Sequence, residues 1–273
     1  PWDPEGDRNM KTVLTIAGSD CSGGAGIQAD IKTIAAQHMY AMSVITALTA
    51  QNTTGVSGVQ EISPDFVAKQ LDCIFTDIPP DSVKIGMLSG EGTIRAVAAK
   101  LRQYGAKNVV VDPVMVSTSG TSLLSEAGRR ALWEELLPLS TLVTPNLPEA
   151  QVFSGQPVET EGDMLRAARE ISRRCRCAVL IKGGHLAGDA ADLLYEEGKA
   201  LWLRTRRISN PNTHGTGCTL SSAIACGLAA GCSLEESVRR AKDYLTGALS
   251  AGLDLGHGPG PLDHMYRILP EDD

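Results

Sequence analysis

Aromatic residues are scarce in this sequence, 4% of 273, and positive charge is in the minority: 25 Lys and Arg against 32 Asp and Glu give a formal net charge of −7. Without a broad basic field the chain is a poor match for nucleic acid or an anionic membrane as its main partner, whereas a phosphorylated small molecule needs only a local positive site. No apolar run approaches the roughly 18 residues that a spanning helix requires, and no signal peptide precedes the first strand. The seven cysteines are odd in number and lack the paired spacings of a zinc site; Cys175 and Cys177 stand too close for a C-x-x-C motif. Free thiols in a reducing compartment follow, so the expected location is cytoplasmic. The phosphate-binding pattern G-x-x-x-x-G-K-[ST] is missing, which excludes a P-loop protein. Repeats, low-complexity tracts and a domain-dividing linker are missing too. Residues 1–9 are polar with two prolines and read as a disordered leader or an expression remnant, leaving 10–273 as one domain.

What is present is a repeated alternation of short apolar runs with helical patterns. Thr12 to Ala17 reads as a strand, Gly18 to Gly26 as a glycine loop, and Ile27, Ile31 and Ile34 as a helix. Further strands fit Val44 to Leu48, Val83 to Leu88, Val109 to Val114, Thr141 to Thr144 and Ala178 to Ile181. Helical patterns at Phe66 to Ile74, Thr93 to Tyr104 and Met164 to Arg173 separate most of them. This order predicts an α/β protein with a mostly parallel sheet covered by helices on both faces. Leu193 to Tyr195, Gly198 and Leu201 to Leu203 predict an antiparallel hairpin at one edge. Ser233 to Glu236 carries a capping-box pattern that opens the last helix, with Leu234, Val238, Ala241 and Leu245 inward.

Ligands in such sheets bind beyond the carboxyl ends of the strands, and the polar residues gather there. The rim has Gly18-Ser19-Asp20, Gln51-Asn52, Lys84 with Gly86-Met87, Asp112, Asn146 with Glu149, and Lys182-Gly183-Gly184. Asp112 and Glu149 are candidate carboxylates for Mg²⁺, which takes one or two carboxylates, several waters and phosphate oxygens. Lys182 is the candidate point charge on a transferring phosphate. Each also has a plain structural reading: a turn before Pro113, a first helical turn after Pro148, a strand end. The remaining part is the run Asn210 to Ser222, where Gly215 and Gly217 lead into a segment with Leu220, Ile224 and Leu228 at helical spacing. A helix start exposes unpaired N–H groups, and glycines let an anion approach them, so Gly215, Thr216, Gly217 and Cys218 form a candidate anion turn. The same field is expected to lower the Cys218 thiol pKa. Metal, cation and oriented N–H donors are the main parts of phosphoryl transfer. Gly24-Ala25-Gly26 to Ala29 also satisfies a loose dinucleotide pattern, but the place for a ribose-binding acid holds Gln51.

Taken in order, several long motifs resemble the hydroxymethylpyrimidine/phosphomethylpyrimidine kinases of thiamine biosynthesis, in the ribokinase-like superfamily. They are Leu14 to Asp20 with Ser22 to Asp30, Ile45 to Asn52, Lys84 to Leu88, Val111 to Met115, Thr144 to Glu149, Lys182 to His185, Thr213 to Cys218 and a Gly258 to His264 tail. The resemblance implies a three-layer α/β/α domain that uses Mg-ATP to phosphorylate 4-amino-5-hydroxymethyl-2-methylpyrimidine, then its monophosphate, in one site. It implies further that Gly18, Ala25, Asp30, Gln51, Met87 and Val114 hold the pyrimidine. Asp112, Asn146, Glu149, Lys182 and Thr216 would handle metal, nucleotide and phosphates, and Cys218 would stand where most of the superfamily has an aspartate base. A pyridoxal kinase of the same branch is the nearest alternative, and a non-catalytic pyrimidine sensor is another. Gln51 and the run Lys182 to His185 tilt the choice toward the pyrimidine; one amide offers both a donor and an acceptor to the aminopyrimidine edge. The expected partners are therefore the aminopyrimidine, ATP and a second copy of the chain in a homodimer.

Overall fold

The structure, a computed structural model, describes residues 10–115, 124–184, 190–205, 208 and 210–268. Residues 1–9, expected as a leader, His185 and the last five residues lie outside them.

Among the described residues nine strands form one sheet in the order β3-β2-β1-β4-β5-β6-β7-β8-β9. β1 (Thr12–Asp20), β2 (Tyr40–Asn52), β4 (Ser82–Ile85), β5 (Val109–Val111), β6 (Leu142–Val143) and β7 (Ala178–Ile181) run parallel. β3 (Gly55–Glu61) folds back antiparallel on β2, and β8 (Ala190–Glu196) and β9 (Lys199–Thr205) close the other edge as the expected hairpin. The central strands read as unbroken apolar runs because both faces are covered: Val13, Leu14, Ile16, Val83 and Ile85 have no exposed surface.

One face carries α2 (Pro64–Asp77), α3 (Glu91–Tyr104), α4 (Glu126–Ala131) with its continuation to Leu139, α5 (Leu147–Ser154) and α6 (Glu161–Cys175). The core there includes Leu71, Ile94, Leu136 and Ile171. On the other face α1 (Gly26–Ala36), α7 (Thr216–Ala229) and α8 (Leu234–Ser250) pack around Ile34, Ile224, Val238 and Tyr244. Leu220, Ile224 and Leu228 of α7 are all buried, as their spacing predicts. The chain leaves β1 for β2 on one side and reaches β4 on the other, so the topological switch lies beyond the carboxyl end of β1.

The structure adds β3, which the sequence reading does not contain. Its seven residues include Gly55 and Gly58 and lie mostly exposed, so neither apolar alternation nor burial marks it. β5 is also shorter than expected: Asp112 N–H still reaches the Ile85 carbonyl of β4 (2.8 Å), but a hydrogen bond from Val114 N–H to the Asp112 carbonyl (2.8 Å) bends the chain there.

Candidate active site

Two clusters of polar side chains occupy the rim. The first is built around Asp112. Its Oδ1 accepts a 2.7 Å hydrogen bond from Lys182 Nζ and a 3.1 Å bond from Thr144 Oγ1. Lys182 follows β7, and its backbone N–H bonds the Pro145 carbonyl at 2.9 Å, which ties it to the end of β6. Gly183 continues the turn because a Cβ there would lie 1.9 Å from the Ala191 carbonyl oxygen; its N–H instead reaches Asp192 Oδ1 at 2.8 Å. Burial opposes the charge on Lys182, but Asp112 and Glu149 outweigh it and hold the ammonium above its ordinary pKa.

Glu149 and Asn146 cap α5 reciprocally. Asn146 N–H donates to Glu149 Oε2 at 2.9 Å, and Glu149 N–H donates to Asn146 Oδ1 at 2.8 Å. Pro148 in the first turn of α5 suits this entry, since its missing N–H would be unpaired anyway. Burial pushes the Glu149 carboxyl up to about 7; Lys182 opposes the rise and the Asp112 charge adds to it.

The start of α7 hangs over this cluster. Gly215 adopts φ 82° as its N-cap and no side chain caps the helix; Thr216 N–H reaches the Thr213 carbonyl at 3.3 Å. A Cβ on Gly217 would stand 3.0 Å from Asp112 Oδ2 and 3.5 Å from Lys182 Nζ, which places the turn directly on the carboxylate–ammonium pair. Thr216 and Cys218 lie in the same turn. The Cys218 thiol differs from the sequence expectation: burial pushes its pKa up, with Asp30 and Asp112 adding, against Lys84 and the Gly26 N–H. The thiol is thereby held in its neutral form more firmly than a free cysteine.

The second cluster lies at the glycine loop. Asp20, at the end of β1, accepts from Ser22 N–H (2.9 Å), Ser22 Oγ (2.7 Å), Gly24 N–H (3.2 Å), Ala25 N–H (2.9 Å) and His214 Nε2 (2.8 Å). Burial would raise its pKa, yet the bonds from His214 and Ser22 hold it at about 2. Gln51, at the end of β2, lies 3.2 Å from the same His214 Nε2. Gly18 leaves room for the Met87 side chain, whose Cε would be 2.5 Å from a Cβ at that position.

The structure therefore brings Gly18, Met87, Ala25 and Gln51 to the glycine-loop side, and Asp112, Asn146, Glu149, Lys182, Gly215, Thr216, Gly217 and Cys218 to the other. Val114 sits just past Asp112. Asp30 lies deeper than the rim: it has no exposed surface, and its oxygens are taken by Lys84 Nζ (2.9 and 2.8 Å), Thr15 Oγ1 (2.5 Å) and Ser222 Oγ (2.8 Å), so it supports the site from beneath. Lys84 lies there with it: fully buried and held in its charged form by Asp30 against the cost of burial, it does not stand on the rim. Asp20, His214 and Thr144 are the residues that motif reasoning left without a role. Each stood inside a quoted motif, but only the folded contacts give it a partner.

Carboxylates, an ammonium and an uncapped helix start arranged around one rim define a phosphoryl-transfer site on a parallel α/β sheet. Comparison with known proteins makes the class specific. The family described as phosphomethylpyrimidine kinase matches residues 20–263, and the chain belongs to it. The hydroxymethylpyrimidine/phosphomethylpyrimidine kinase of Rhizobium meliloti is 52% identical over 93% of this chain and 97% of its own length. The thiamine biosynthesis bifunctional protein ThiED of Geobacter sulfurreducens is 51% identical over 93% of this chain, which spans 52% of that longer protein. Among solved structures, an ADP complex of Bacillus subtilis pyridoxal kinase superposes with a TM-score of 0.89 at 38% identity, covering 95% of this chain and 99% of the other.

Proposed function

We propose that the protein transfers the γ-phosphoryl group of ATP to the hydroxymethyl group of 4-amino-5-hydroxymethyl-2-methylpyrimidine, and then to the resulting monophosphate. The observation that carries this reading is the placement of Gly217 against the Asp112–Lys182 pair, 3.0 and 3.5 Å from a Cβ at that position. It puts N–H donors, a fixed cation and a carboxylate around one point at which transferred charge can be held.

The pyrimidine lies between Gly18, Ala25, Met87 and Val114, with its amino edge on Gln51. Asp112 and Glu149 would hold Mg²⁺, which when bound neutralises phosphate charge. A pair of carboxylates suits an ion that draws its other ligands from water and phosphates. The carboxyl of Glu149, raised by burial and by Asp112, fits the same use. Lys182 faces the transferring group, Asn146 and Thr216 border the nucleotide phosphates, and the N–H groups of residues 215–218 take up the charge. A loose transition state asks little of a base, so Cys218 as a neutral thiol orients the reacting hydroxyl. Asp30 and Lys84 hold α1 and β4 in place beneath it. No described helix is long and apolar enough to cross a membrane; a cytoplasmic homodimer acting as a single catalytic unit per chain is the expected setting.

The likeness to pyridoxal kinase makes pyridoxal the competing substrate. Parallel incubations of the protein with Mg-ATP and the pyrimidine alcohol, the pyrimidine monophosphate or pyridoxal, read by mass spectrometry, separate the readings. Monophosphate and diphosphate from the first two support the proposal. Product from pyridoxal alone would replace it, and no product from any of the three would favour a sensor.

A further inference from the structure

We propose that His214 is a positioning residue that sets the orientation of the Gln51 side-chain amide, and so the donor–acceptor order presented to the pyrimidine. The proposal rests on the reading that Gln51 meets the pyrimidine edge.

The argument is one of proton balance. Asp20 Oδ2 lies 2.8 Å from His214 Nε2, and Asp20 is 3% exposed with five donors around it. A carboxylate in that setting is ionised and only accepts, so His214 Nε2 carries a proton in either ring charge state. The same Nε2 lies 3.2 Å from the Gln51 amide atom placed as Nε2. With the amide nitrogen placed there, two N–H groups would face each other. The nitrogen and oxygen of an amide are assigned from their network, and turning this amide over puts Oε1 toward His214, where it shares the Nε2 proton with Asp20.

The other end of the amide agrees. Thr49 Oγ1 lies 3.2 Å from the Gln51 amide atom placed as Oε1, which becomes Nε2 when the amide is turned, and 2.9 Å from the Ser19 carbonyl oxygen. Its single proton goes to Ser19, which leaves a lone pair to accept from the Gln51 NH₂ group. The amide is thus fixed at both ends, and one lone pair on Oε1 and one proton on Nε2 remain for a ligand. That order matches an amino group beside a ring nitrogen. An oxo group beside a ring N–H presents the reverse.

His214 also clasps the two turns of the site. A Cβ at Gly24 would lie 2.5 Å from His214 Cδ2, and one at Gly215 would lie 1.9 Å from the Gly24 carbonyl oxygen, so the glycine loop and the anion turn touch through these residues. The ring has little room to turn: it is 6% exposed, and its backbone pairs with Pro261.

The test compares His214→Phe, His214→Gln and Gln51→Leu in steady-state kinetics with the 4-aminopyrimidine substrate and its 4-oxo analogue. His214→Phe keeps a ring and loses the donor, so KM for the aminopyrimidine rises about tenfold while KM for ATP holds, and preference over the oxo analogue shrinks because the amide turns freely. His214→Gln restores an N–H at the same reach and restores the preference. A rise in KM for Gln51→Leu with no change in either measure for His214→Phe overturns the proposal alone. An unchanged KM for Gln51→Leu removes the underlying reading and the proposal with it. Should His214→Phe not fold, ¹⁵N chemical shifts of the histidine rings in the wild-type protein decide: a protonated Nε2 on His214 is required, and an unprotonated Nε2 overturns the proposal.

Discussion

Lys182 Nζ stands 2.7 Å from Asp112 Oδ1, and the pair is asymmetric: Asp112 is 4% exposed and Lys182 19%. The carboxylate is sealed while the ammonium keeps a side open to the cleft. Lys182→Ala therefore removes the charge that faces the phosphate, and turnover is expected to fall about 100-fold or more. Single-turnover kinetics with saturating Mg-ATP measure it. Unchanged turnover would take Lys182 out of the phosphate path.

Beneath the rim, Lys84 and Asp30 form a second ion pair at 2.8 Å with neither side chain exposed. Lys84→Met leaves the Asp30 charge with only the hydroxyls of Thr15 and Ser222, at a cost of about 3–5 kcal/mol in urea unfolding. The double variant Lys84→Met/Asp30→Leu removes the stranded charge and should recover a large part of that loss. A double variant no more stable than the single would mean that the pair is not the source of the cost.

Because burial raises the Cys218 thiol pKa, its alkylation by iodoacetamide at pH 7.5 should be much slower than that of the exposed Cys21 or Cys73, as followed by peptide mass spectrometry. Cys218→Ser should keep turnover within about tenfold, since serine preserves a neutral hydrogen-bonding group of similar size. Rapid modification at Cys218 near neutral pH would restore the thiolate reading.

His264 offers a pH test. It is 3% exposed, lies 3.0 Å from Thr219 Oγ1, and burial depresses its pKa to about 4. The unfolded chain binds this proton below about 6.5 and the folded chain only below about 4, so stability is lost as pH falls through that window. Between pH 7 and pH 5 the wild-type protein should lose about 2 kcal/mol more than His264→Gln in urea melts. Equal losses would show that His264 is not buried in its neutral form.

The order of elements was legible because each central strand is an apolar run and each following helix carries a 3.6-residue stripe, both local properties of the chain. The strand-end positions of Asp112, Asn146 and Lys182, and the anion turn from Gly215 to Cys218, follow from that order alone. β3 escaped because an exposed edge with two glycines has no stripe to read. Lys84 and Lys182 look alike in sequence, each a lysine within an apolar segment ahead of a glycine. Only packing separates them: α1 brings Asp30 against Lys84 across 54 residues, whereas Lys182 stands one residue past its strand and faces Asp112 across 70. Tertiary structure also decided the direction of the Cys218 shift, since burial, together with the charges of Asp30 and Asp112 brought in by other elements, pushes the thiol up. It likewise joined Asp20 to His214 across 194 residues, a contact with no local signature because two separate turns must meet before it exists.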